Sequence, residues 1–88
     1  MMELLELEKI DRKDSPIHYI NEYHGILQYR YDGDICSCPI GIVIEKTAFG
    51  TLSFRVDPDQ DAPGELHKKM DSLIEFVNEK YKDGYFQQ

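Results

Sequence analysis

The sequence predicts an α+β fold: an antiparallel β-meander of four to five strands, with one C-terminal amphipathic helix packed on one face (order β-β-β-β-α). Two features of the chain lead to it. Asp32-Gly33 sits between two runs in which apolar and polar residues alternate, the pattern of a tight two-residue hairpin. From Leu66 onward, Leu66, Met70, Leu73, Ile74, Val77 and Tyr81 recur at the spacing of one helical stripe. A length of 88 residues suits one domain with one core, spanning the whole of 1–88.

The elements follow in order. Glu3 to Glu8 reads as a strand alternating at Leu5 and Leu7, and Asp11 to Pro16 as the loop after it. Ile17, Tyr19, Tyr23, Leu27, Tyr29 and Tyr31 hold a period of two, and β-branched and aromatic residues favour strands. The Asp32-Gly33 turn sets Tyr31 opposite Asp34, which pairs Tyr29 with Cys36, Leu27 with Cys38, Gly25 with Ile40 and Tyr23 with Ile42 on one face. The wetter face takes Arg30 with Ile35, Gln28 with Ser37, and Ile26 with Pro39. A three-residue loop Ala48-Phe49-Gly50, with Gly50 left-handed, then pairs Thr47 with Thr51, Ile44 with Phe54 and Ile42 with Val56. Pro39, unable to donate, falls near Asp57-Pro58 beyond the end of that pairing. The terminal helix is expected over about 17 to 19 residues, with Asp61 as N-cap, Pro63 in the first turn and Gly84 as its stop.

Charge narrows the partners. Ten Lys and Arg against 17 Asp and Glu leave a net charge of −7. Clustered cations dominate binding to a phosphate backbone, so nucleic acid is disfavoured, whereas a basic protein suits the field. No run of 18 apolar residues and no basic-then-apolar leader occurs, so neither a membrane span nor a secretory signal is expected and the cytoplasm is the expected compartment. A sheet covered on one face leaves the other for water or a second copy, which raises a homodimer as an expectation.

Candidate sites are few. Cys36 and Cys38 are two apart on one strand, hence on one face, and too close in sequence to bridge readily. They are read as reduced, buried, apolar side chains, because a zinc site needs further converging ligands and the register sends His24 and His18 to the other face. A metal- or thiol-dependent module using Cys36 and Cys38 is the alternative. Asp57, Asp59 and Asp61 imitate the opening of a calcium loop, but Ala62 stands where its turn glycine belongs and Lys68 where its bidentate glutamate belongs. A second alternative places single-stranded nucleic acid on the open sheet face through Arg30 and Arg55. No nucleophile elbow or glycine-rich phosphate loop is present, so neither catalysis nor a cofactor is expected. The leading expectation is a non-enzymatic interaction or regulatory module. Its acidic surface (Asp57, Asp59, Asp61, Glu65, Asp71, Glu75 and Glu79) would meet a basic protein, one version being a mimic of nucleic-acid charge.

Overall fold

A computed structural model describes residues 2–14, 16 and 19–86. Four strands, β1 (Met2–Lys13), β2 (Ile20–Tyr31), β3 (Asp34–Lys46) and β4 (Leu52–Pro58), form one antiparallel sheet in chain order. Two helical segments follow, α1 (Gly64–Lys68) and α2 (Met70–Lys82).

Turn chemistry sets the central register. Asp32 and Gly33 both adopt positive φ, 52° and 87°, as a type I′ turn requires. Tyr31 therefore faces Asp34, and the expected pairs Tyr29 with Cys36, Leu27 with Cys38, Gly25 with Ile40 and Tyr23 with Ile42 all form. In the second hairpin, Gly50 is left-handed at φ 85° and its N–H bonds the Thr47 carbonyl at 3.0 Å. Ile44 faces Phe54 and Ile42 faces Val56. One face of the sheet thus gathers Leu27, Ile40, Ile42, Ile44 and Val56, each at most 2% exposed.

The first strand departs from simple alternation. It runs on to Lys13, through residues expected in the loop, and it is bulged twice, between Leu4 and Glu6 and between Glu8 and Asp11. Each bulge inserts a residue and shifts the side-chain phase. Consequently Met2, Leu7 and Ile10 are buried and Leu4 packs against the core, while Leu5 stays half-exposed. Lys9 takes φ 53° within the second bulge. Gly25 lies beneath it, where a Cβ would stand in ordinary contact, 3.4 Å from Leu7 Cδ1 and 3.5 Å from Ile10 Cγ1. Tyr19 is 54% exposed just ahead of β2, and Ile17 and His18 lie outside the described residues.

The helical stripe is buried as expected at Leu66, Leu73 and Val77, each 0% exposed, with Met70, Ile74 and Tyr81 packed around them. The helix is broken at Lys69 (φ −100°, ψ 34°), whose N–H reaches back only three residues to the Leu66 carbonyl. Its start also differs from expectation. Pro63, with ψ 143°, occupies the N-cap and no side chain caps it, so Asp61 remains an exposed loop residue. The end is closed by a Schellman pair, Tyr85 N–H to the Lys80 carbonyl at 3.1 Å and Gly84 N–H to the Tyr81 carbonyl at 3.2 Å. Phe86 then turns back onto the core, edge-on to Tyr23 at 4.9 Å. No helix of the described residues is long and apolar enough to cross a membrane.

Candidate interaction surface

Alternation along β4 splits the seven predicted acidic residues between the two sides of the sheet. Val56 points to the core, so its neighbours Arg55 and Asp57 face the open side, 3.7 Å apart as an ion pair. Asp59 and Asp61 are exposed in the loop, and Glu65 is half-exposed on α1. Asp71, Glu75 and Glu79 follow at four-residue steps along α2, which puts them in one line, and all three are exposed. Asp59, Asp61, Glu65, Asp71, Glu75 and Glu79 have no ion-pair partner among the described residues.

That line is costly to the isolated helix. Glu75 has Asp71 four residues before it and Glu79 four after it, and like charges at this spacing destabilise a helix by about 0.2–0.5 kcal/mol each. Some acids elsewhere are paired, Glu3 with Arg30 and Glu6 with Lys80 among them. Glu6 binds Lys80 at 3.2 Å and accepts the Leu7 N–H at 3.0 Å. The Leu7 N–H chiefly holds the Glu6 carboxyl below its ordinary value; desolvation opposes it, and Lys80 and the Tyr85 hydroxyl lower it further. Lys80 itself lies over the rings of Tyr85 and Phe76, 4.6 and 5.2 Å from their centroids. Burial lowers its affinity for a proton, but its bond to Glu6 prevails and the ammonium titrates above its usual range.

The thiols are placed differently from each other. Cys38 is buried, and desolvation, followed by the charge of Asp59, pushes its thiol up and away from thiolate chemistry. Cys36, expected to be buried, is half-exposed, with Sγ 3.9 Å from the Asp34 carbonyl. His24 is exposed on the opposite face, at the Asp11 and Gly41 positions of the neighbouring strands. No group of three metal-binding side chains comes together among the described residues.

The open face carries Arg30 bound to Glu3, Gln28 bound to Glu8 at 2.7 Å, and Arg55 beside Asp57. Both arginines proposed for a nucleic-acid groove are thus matched by carboxylates, and Tyr23 and Tyr29 are buried on the other face. Sequence reasoning passed over the far end of the sheet. There Phe49 is 94% exposed at the β3–β4 tip and Leu52 40%, with Tyr19 tied in by the Lys46 N–H to its carbonyl at 2.9 Å. Placing Phe49 in a three-residue loop already implied its exposure.

No family model, curated protein or solved structure matches the chain.

Proposed function

We propose that the chain is a non-enzymatic interaction module that holds a basic protein partner against the outer face of α2 and the loop before it. The observation that carries this reading is the line Asp71, Glu75 and Glu79, exposed, unpaired among the described residues and mutually repelling. Self-repulsion at a surface is relieved when a cationic partner docks, and complementary charge accelerates and orients association. Asp59, Asp61 and Glu65 extend the same field toward the loop, whereas Asp57 contributes from the open side. A partner that normally binds nucleic acid would meet a sparser line of negative charge here, one carboxylate per about 6 Å of helix axis against one per about 3.4 Å of a DNA strand.

The test is a quantitative pull-down from native lysate. The wild-type chain is compared with one carrying Asp71→Lys, Glu75→Lys and Glu79→Lys, at low and high salt. Basic proteins held by the wild type should be lost by the variant and by 0.5 M NaCl, and duplex DNA should compete for them. Recovery of the same proteins in the same amounts by both chains would refute the reading.

A further inference from the structure

The sheet leaves part of β3 bare. Ile40–Lys46 pairs with β4, and the column ends where the Asp59 N–H bonds the Pro39 carbonyl at 3.0 Å. From Asp34 to Cys38 the strand has β2 on one side and no backbone partner on the other among the described residues. Because Tyr31 and Asp34 close a two-residue turn, Asp34, Cys36 and Cys38 direct their N–H and C=O groups to β2, and Ile35 and Ser37 aim theirs outward. The outward carbonyl of Pro39, two residues beyond Ser37, has the same phase.

The other edges are blunted along their length, whereas this short one is plain between its ends. β1 is bulged twice in its ladder with β2 and carries the charges Glu3, Glu6, Glu8, Lys9, Asp11, Arg12 and Lys13, while β4 is seven residues long with Arg55, Asp57 and Pro58. The bare stretch Ile35-Cys36-Ser37-Cys38 has no charge, proline or bulge, and Ile35 is 68% exposed. Carboxylates stand at both of its ends, Asp34 at one and Asp59 at the other. A second copy pairing antiparallel here, with Ile35 opposite Ser37, would bring each Asp34 toward the other copy's Asp59. The charges oppose self-pairing and favour a basic strand.

We propose that an extended partner segment, with a basic residue on each side of a short β-prone run, adds to β3 at Ile35–Ser37 as a fifth strand. Main-chain bonds would supply the pairing and the two carboxylates its preference. This rests on the acidic-module reading and specifies the partner's shape.

The probe is a fluorescein-labelled Lys-Thr-Val-Thr-Val-Lys peptide, with a Glu-flanked version and a backbone N-methylated version, followed by anisotropy on the full chain at low salt. Ser37→Pro removes the outward N–H without touching the β2 ladder, and Pro39 shows that a proline is accepted at this phase. The Lys-flanked peptide should bind the wild type and bind Ser37→Pro about tenfold more weakly or less, with the thermal unfolding transition preserved. On the wild type the Glu-flanked and N-methylated peptides should both be weaker, a result independent of how the variant folds. Equal binding of the N-methylated peptide, or no binding of the parent peptide, would overturn the proposal. So would a wild-type dimer that Ser37→Pro makes monomeric, since a second copy would then occupy the edge. Binding lost in Glu75→Lys but kept in Ser37→Pro would also overturn it, while leaving the acidic-module reading intact.

Discussion

Replacing Glu75 by lysine should stabilise the free protein while weakening its hold on a basic partner. In the native helix Glu75 faces Asp71 and Glu79 at four-residue separations, with Ser72 and Asn78 at three, so no cation on α2 offsets it. The substitution removes two repulsions and creates two attractions, four contributions of about 0.2–0.5 kcal/mol each, or about 0.8–2 kcal/mol in sum at low salt. For a chain of this size each kcal/mol corresponds to a rise of about 4–8 °C in the unfolding midpoint. Glu75→Gln removes the repulsions alone and should give about half the gain. Thermal unfolding by circular dichroism in 10 mM and 1 M NaCl measures it, and the gain should shrink as salt screens charges this exposed. A Glu75→Lys chain no more stable than the wild type at low salt would mean that the carboxylates do not repel. The argument that this face holds its charge for a partner would then fail.

Three further outcomes follow from the interior. Leu73→Ala, at a 0% exposed position beneath the sheet, should cost about 2–5 kcal/mol in urea unfolding. Glu6 is held ionised by the Leu7 N–H and Lys80, so its contribution is present above the ordinary carboxylate range and lost as pH falls through its depressed folded value; Glu6→Gln should flatten the acid limb of stability below about pH 4.3. In mass spectrometry of the alkylated native chain, Cys36 should react first and Cys38 only on unfolding, and equal rates would contradict the buried placement of Cys38.

Much of the sheet was legible because its turns carry their own chemistry. Asp32-Gly33 and Gly50 set two registers outright, and every pair in the central hairpin follows by counting. The first strand was not legible in the same way. Its second bulge holds a left-handed lysine at position 9, which alternation along one segment cannot reveal. The helical stripe was readable from spacing, but the break at Lys69 was not, since its Leu66 and Met70 neighbours are ordinary helix formers. Phe86 escaped notice because it follows the glycine stop and returns through tertiary contact with Tyr23. Of the acidic surface, composition disclosed the members; only the phase of β4 shows that Asp57 belongs to the other side from the helix.

The way β1 meets the helical segment bears on how the protein acquires its structure. Lys80 binds Glu6, the Tyr85 hydroxyl lies 3.4 Å from the same carboxylate, and Lys69 Nζ reaches the Met2 carbonyl at 3.3 Å. Each hairpin is built from local contacts and can form by itself, but the apolar side of the sheet stays uncovered until α2 docks on it. Until α2 docks, Leu7, Leu27, Ile40 and Ile42 are open to contact with other chains, so the sheet without its helix is the species most prone to aggregate.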